Sequence, residues 1–174
     1  METMQPTLRI GRNVWDRVNL PETEFQERIE RIKEKMKKQG IDVLFLYSSG
    51  FNEYGNACYL TNFVVRLPQG TLVAVPQDGE ITLFFEGSSR MLPTVKKTVW
   101  VEDITACRDV SQEMVKYLKE NNLIPSKIGF AGIRQLMPYN QYQFLSESLD
   151  QCEIVDVDQI IKDMRMVKSS REQD

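Results

Sequence analysis

The sequence predicts an α/β domain, a mixed β-sheet covered by helices, and three observations carry that expectation. Residues 41–47 form a short apolar run rich in β-formers, bounded by Gly40 and by Ser48-Ser49-Gly50, which fits a strand buried on both faces. Residues 71–75 and 81–85 are β-rich runs separated by Pro76-Gln77-Asp78-Gly79-Glu80, where Asp78-Gly79 is a strong hairpin signal. In the second half, strand-like runs alternate with helical patterns, as in a sheet with helical crossovers.

Residues 1–20 mix charge with isolated apolar side chains and read as an N-terminal arm, with Trp15 as its anchor. The next segment is the clearest helix. Pro21 suits a first helical position, and Phe25, Ile29, Ile32 and Met36 recur on one stripe, while Gly40 suits the C-terminal cap. Glu24 with Arg28, Glu27 with Arg31 and Glu34 with Lys38 are i to i+4 pairs in the favourable order, expected on a solvated face.

After the apolar run, taken as the central strand, residues 48–56 read as a loop and residues 59–63 as a short element. Leu67-Pro68-Gln69-Gly70 breaks the chain before the hairpin, Gly87-Ser88-Ser89 ends the hairpin, and residues 98–102 are expected to form another strand. Asp109 and Gln112 have capping-box spacing ahead of Met114, Val115 and Leu118, in a helix that should stop near Asn121-Asn122. Residues 127–131 read as a strand, 138–149 as a helix with Tyr142, Leu145 and Leu149 on one face, 153–155 as a last strand and 157–164 as a last helix.

Composition narrows the function. The 174 residues suffice for one domain with a full core, and 41% of them are hydrophobic. A formal net charge of −3 provides no basic field for nucleic acid or an anionic membrane. Histidine is absent, which removes the commonest general base and transition-metal ligand. Cys58, Cys107 and Cys152 are far apart and lack C-x-x-C spacing, so they are expected as buried, reduced thiols of a cytoplasmic protein. No apolar run is long enough to cross a bilayer.

No pattern of chemistry-bearing residues in the sequence defines a site. Gly50 and Gly55 lack the spacing of a phosphate-binding turn. Asp42, Glu86, Glu102, Asp103, Asp156 and Asp158 fall near expected strand ends, where a carboxylate-only metal site is conceivable, but capping and strand-end roles account for them more simply. Ser48, Ser49, Ser88 and Ser89 lie in polar turns without a nucleophile elbow.

Three ordered features resemble the N-terminal domain of the creatinase, aminopeptidase P and prolidase family of pita-bread metallohydrolases. Arg28-Ile29-Glu30-Arg31-Ile32 through Met36 to Gly40-Ile41-Asp42-Val43-Leu44 is similar to the family's opening helix and strand. Residues 56–63 resemble its N-x-x-Y-L-T-G-F, with Asn62 where glycine is usual. Met164-Arg165-Met166-Val167-Lys168-Ser169-Ser170-Arg171-Glu172 resembles the segment that joins this domain to the catalytic one. The Asn62 departure bears on the local turn, because glycine accepts a positive φ freely and asparagine less so.

The resemblance implies an RNase H-like creatinase N-terminal domain fold over residues 21–164, with residues 165–174 beginning the linker to an absent catalytic domain. It implies a non-catalytic domain that caps the substrate site and dimerises, in an Xaa-Pro aminopeptidase or dipeptidase-like enzyme. No catalytic residue, cofactor site or metal ligand is then expected in this chain. A dinuclear divalent metal, Mn, Co or Zn, is expected in the missing domain, on two Asp, one His and two Glu. The expected partners are that domain, a second copy in a homodimer and a small peptide or amide substrate. Tyr59, Phe63 and Arg66 are the expected substrate-bordering residues, Arg66 because a guanidinium grips a carboxylate in two-pronged fashion. Core packing competes as the role of Tyr59 and Phe63, and a solvated loop as that of Arg66. The alternatives are a peptide- or protein-binding module of a pseudo-peptidase, a creatinase-type hydrolase of non-peptide C–N bonds, and a complete small enzyme with a carboxylate-only metal site.

Overall fold

The structure, a computed structural model, describes residues 15–65, 69–124 and 126–173. Helix α1 spans Glu22–Gln39, with Pro21 one position before the helix rather than inside it. Phe25, Ile29, Ile32 and Met36 are buried, as their spacing requires. Gly40 closes the helix at φ 65, a left-handed conformation that glycine adopts without a Cβ penalty. Ahead of α1, the Trp15 indole donates to the Leu20 carbonyl at 2.7 Å and meets the Phe25 ring edge-on, while residues 1–14 of the expected arm lie outside the described residues.

Strand β1, Val43–Ser49, lies inside a six-stranded sheet whose order is β4 (Asp103–Cys107), β3 (Thr82–Glu86), β2 (Gly70–Pro76), β1, β5 (Lys127–Ala131) and β6 (Glu153–Asp156). Its neighbours are β2, Gly70–Pro76, antiparallel, and β5, Lys127–Ala131, parallel, with Phe45 opposite both Ala74 and Phe130. Leu44 and Leu46 enter one core cluster, and Val43, Phe45 and Tyr47 enter the other. Burial on both faces explains why this strand reads as an unbroken apolar run.

The hairpin forms as its turn predicts: β2 pairs antiparallel with β3, Thr82–Glu86, and Gly79 takes a φ of 107 between them. Strand β4 is Asp103–Cys107, parallel to β3, and this corrects the expectation of a strand at 98–102. Val99 and Val101 are buried in the core without ladder partners, and the Trp100 indole donates to the Leu60 carbonyl at 2.8 Å. Their β-forming side chains serve as anchors of a connection that follows the short helix α3, Leu92–Val95. The open edge strand itself starts where Asp103 meets Thr82.

A second correction concerns residues 48–63, where helix α2 runs from Tyr54 to Thr61 (Tyr54–Thr61) and so takes in residues expected in a loop. Helices α4, Val110–Glu120, α5, Ile133–Leu136, and α6, Tyr139–Ser148, cover the face that carries Phe45. Asp109 caps α4 by accepting from the Ser111 amide at 2.8 Å. Strand β6, Glu153–Asp156, pairs parallel with β5, and helix α7, Asp158–Met166, returns to the face of α1 and α2. A last turn, α8, spans Ser170–Gln173.

Candidate functional site

Arg28, Asn56, Tyr59, Arg165 and Glu172 are far apart in sequence, and the fold brings them to one corner where α1, α2, α7 and α8 meet. Arg28 projects from α1 and is 3% exposed. Its Nη1 donates to the Tyr59 carbonyl at 2.7 Å, and its Nη2 lies 3.1 Å from Glu24 Oε1 and 3.3 Å from Glu172 Oε1. The guanidinium carbon stands 4.3 Å from the centre of the Tyr59 ring and 5.2 Å from that of Phe25. A guanidinium is suited to this position because its flat faces accept aromatic rings while its edge donates to several acceptors.

This corner corrects the expectation that Glu24 and Arg28 pair on a solvated face, since Glu24 is 7% exposed. Spacing of i to i+4 is compatible with burial once a second carboxylate, here Glu172, arrives from elsewhere. Glu172 is held by its own turn: its Oε2 accepts from the Ser169 amide at 3.0 Å, and its amide donates to Ser169 Oγ at 3.3 Å. That reciprocal pattern is a capping box.

The second contact of the corner is made by Arg165 on α7. Its Nη1 donates to Glu53 Oε2 and Asn56 Oδ1, both at 2.5 Å, at the start of α2. Glu53 takes a φ of 53, uncommon for a non-glycine residue. A Cβ on Gly55 would stand 2.6 Å from Arg165 Nη2, so the glycine lets the guanidinium lie against the helix.

Tyr59 lies under the Arg28 guanidinium, 7% exposed, and its hydroxyl donates to the Met164 carbonyl at 3.3 Å. Burial raises its pKa, and the neighbouring Arg28 partly offsets this. Asn62 ends α2 at φ 61 and donates from Nδ2 to the Thr98 carbonyl at 2.8 Å. The left-handed turn therefore forms with asparagine, and the side-chain bond offsets part of its cost. Phe63 follows, 4% exposed, with its ring centroid 5.5 Å from that of Phe85. Of the three residues expected to border substrate, Tyr59 and Phe63 are thus packed in the core, and Arg66 lies outside the described residues.

The carboxylates considered for a metal site are dispersed and engaged locally. Asp42 Oδ2 accepts from the Lys127 amide at 2.7 Å, Glu86 Oε2 from the Gly70 amide at 2.9 Å and Asp103 Oδ2 from the Thr82 hydroxyl at 2.6 Å. Asp156 Oδ1 accepts from the Asp158 amide at 3.0 Å, and Asp158 Oδ2 accepts from the Gln135 side chain at 2.7 Å. Glu102 is exposed. Among the described residues, no three Cys, Asp or Glu side chains gather as a metal ion would need. An open groove of about 520 Å³ beside β4 and α4 is lined by Asp42, Asp78, Glu80, Asp103 and Glu113, away from the arginine corner. Cys107 is buried, whereas Cys58 and Cys152 are half-buried free thiols.

A mixed sheet with helices on both faces, and a polar corner formed by its first and last described helices, defines a three-layered α/β domain without a gathered metal-ligand set among its described residues. The chain belongs to the creatinase/prolidase N-terminal domain family, whose sequence model matches residues 28–167. No curated protein matches the chain in sequence. Among solved structures, it is similar to the aminopeptidase P of Streptococcus thermophilus, at 24% identity and a TM-score of 0.62 over 82% of this chain and 98% of that one. It also resembles the Xaa-Pro dipeptidase of Bacillus anthracis, at 22% identity and a TM-score of 0.66 over 86% of this chain and 38% of that one. The N-terminal domain of the cytoplasmic peptidase PepQ from Mycobacterium tuberculosis is matched at 17% identity and a TM-score of 0.61 over 80% of this chain and 98% of that one. These likenesses establish the fold, and the chain spans well under half of the Bacillus dipeptidase.

Sequence patterns alone do not mark Arg28, Glu172, Arg165 and Glu53 as a site. Three of them lie in the motifs that carry the family resemblance, which is the signal that could have marked them. Glu53 had none, because a positive φ at glutamate is not written in local sequence.

Proposed function

We propose that this chain is the non-catalytic N-terminal domain of a metal-dependent, Xaa-Pro aminopeptidase or dipeptidase-like hydrolase, where it caps the substrate site and contributes to a homodimer. The observation that carries the reading is the pair of coverages: the shared fold fills 98% of the PepQ N-terminal domain and 38% of the Bacillus dipeptidase. In this reading the dinuclear metal, Mn, Co or Zn, is held by the catalytic domain. That domain is the first partner. Phe51, Tyr54, Met166 and Val167 are exposed apolar side chains on the two segments that Arg165 joins, and they suit a docked domain.

In this reading Arg66 meets the substrate carboxylate, while Tyr59 and Phe63 border the site from behind by fixing the segment that leads to it. The protein acts in the cytoplasm on a small peptide or amide. No described helix is long and apolar enough to cross a membrane.

The test is to follow the natural reading frame beyond the codon for Asp174 and assay the complete product for metal-dependent cleavage of an Xaa-Pro dipeptide. Downstream Asp, Asp, His, Glu and Glu ligands with cleavage are expected. In that enzyme Arg66→Ala should raise KM about tenfold and change kcat less, the result of losing a ground-state carboxylate contact. A frame that closes at Asp174 overturns the proposal in favour of a peptide- or protein-binding module. Ligands retained with cleavage only of a non-peptide C–N bond would instead make the parent a creatinase-type hydrolase.

A further inference from the structure

The geometry points to the C-terminal segment, residues 165–173, as a latch whose seating on Arg28 and Glu53 holds helix α2 and the residues that follow it in place. This inference rests on the capping reading for its consequence in an enzyme, and on the corner alone for its existence.

Four observations carry it. Glu172 reaches a guanidinium that is 3% exposed, so its carboxylate is part of a desolvated charge cluster rather than a surface pair. The same guanidinium donates to the carbonyl of Tyr59 in the middle of α2 and lies against that residue's ring. Arg165 grips the other end of the helix through Glu53 and Asn56, and Glu53 is held in a left-handed conformation next to that contact. The Tyr59 hydroxyl returns to the Met164 carbonyl, which makes α2 and α7 a single tied unit.

Beyond that unit the connections continue without a gap. Leu60 accepts from the Trp100 indole, whose ring stacks on Phe25 at 6.0 Å between centroids, and Asn62 is tied to Thr98. Phe63, Val65 and Leu60 share one core cluster. Loss of the Glu172 carboxylate would leave the Arg28 cation facing Glu24 alone, with Nε still lacking a hydrogen-bond partner. The route from tail to loop is a chain of named contacts, and such a route acts as a latch only if removing its end loosens its middle.

Hydrogen exchange on this chain tests that condition. Glu172→Gln keeps the side chain's size and removes its charge. It should raise exchange of the amides of residues 58–62 about tenfold, along with those of 169–173, while the amides of Lys127–Ala131 in β5 stay unchanged. Arg165→Gln should raise exchange at residues 54–58 in the same way. In a Trp15→Phe background the emission of Trp100 should shift with Glu172→Gln, since that indole is bound to the end of α2. Faster exchange confined to residues 169–173, with α2 and Trp100 unaffected, would overturn the latch, and so would no change anywhere. None of these measurements uses catalysis, so their failure leaves the capping reading standing. An inactive complete product would leave the latch standing.

Discussion

On the α1 face of the sheet, helices are tied at defined points: Arg28 to Tyr59 and Glu172, Arg165 to Glu53 and Asn56, Asn62 to Thr98, and Trp100 to Leu60. On the opposite face, α4 and α6 rest on apolar contacts, with Met114, Leu118 and Leu145 against Phe45 and Phe84, and Tyr117 edge-on to both phenylalanine rings. Both faces exclude water, and the directional contacts are concentrated on the α1 face, the other carrying the donation of the Gln141 side chain to Glu86 Oε1 at 2.6 Å. Apolar packing tolerates exchange among side chains of similar volume, whereas a buried guanidinium with three acceptors does not. The directional face is also the one that receives the last described helices, α7 and α8.

The largest expected effect is at Arg28. Arg28→Ala strands Glu24 in a desolvated corner and leaves the Tyr59 carbonyl without its donor, which should cost about 3–5 kcal/mol in urea denaturation. The double change Arg28→Met with Glu24→Gln should recover a good part of that loss, because it removes the two most buried charges together and leaves Glu172, at 18% exposed, within reach of water. A single-variant loss well under 1 kcal/mol would show that the corner is solvated and that the two faces are alike.

On the other face, Met114→Ala should cost about 3 kcal/mol by leaving a cavity among fully buried neighbours. The sharper comparison lies in the conservative changes. Met114→Leu should be within about 1.5 kcal/mol of the parent, because volume is conserved. Arg28→Lys should be costly despite keeping the charge, because a single ammonium cannot reproduce the fork or the stacking. Equal tolerance at the two sites would remove the distinction.

Alkaline pH should weaken the apolar face most. Burial, with Glu86 and Asp109 nearby, pushes the Tyr47 hydroxyl from its ordinary value near 10 up to about 12. Tyr59 is also raised by burial, but Arg28 and Arg31 pull it back. A group whose folded pKa lies above its unfolded one contributes stability that is fully present below the unfolded value and is lost as pH rises through the folded one. Stability should therefore fall between pH 10 and 12 by on the order of 1 kcal/mol per pH unit, and Tyr47→Phe should make that fall shallower. Cys107, raised to about 12 mainly by burial, contributes in the same direction and keeps some slope in the variant. Urea midpoints measured across that range check it, and a parent and variant with identical slopes would refute it.

The same contrast decides what was legible in the sequence. The stripe of α1, the hairpin turn at Asp78-Gly79, the cap at Asp109 and the central strand all follow from local periodicity and turn chemistry, and they lie where the sequence puts them. The start of α2 was not legible, because Ser49, Gly50 and Asn52 signal a loop and Glu53 enters the helix from a left-handed conformation. Residues 98–102 read as a strand because Val99, Trp100 and Val101 have strand-like side chains, and burial by α1 and α2 is a tertiary property. Arg28 was misplaced for the same reason: its partner Glu172 arrives from the other end of the chain. Tyr59 and Phe63, for which core packing competes with a substrate-bordering role, are buried, and what Tyr59 holds together depends on α7, which no local pattern around Tyr59 reveals.

The smallest effect concerns Asn62, where the family resemblance leads one to expect glycine. At φ 61 an Ala side chain carries the left-handed penalty of about 1 kcal/mol and also loses the Nδ2 bond to Thr98, itself worth about 1 kcal/mol net. Glycine loses the bond and escapes the penalty. Asn62→Ala should therefore be about 1 kcal/mol less stable than Asn62→Gly, with the parent at or above both. If Asn62→Gly exceeds the parent, the Thr98 bond contributes less than the backbone strain it accompanies, and the directional face owes its order to the arginines alone. If the two variants are equal, the turn relaxes when the asparagine is lost, and the end of α2 is held by Trp100 and Phe63 rather than by its own cap.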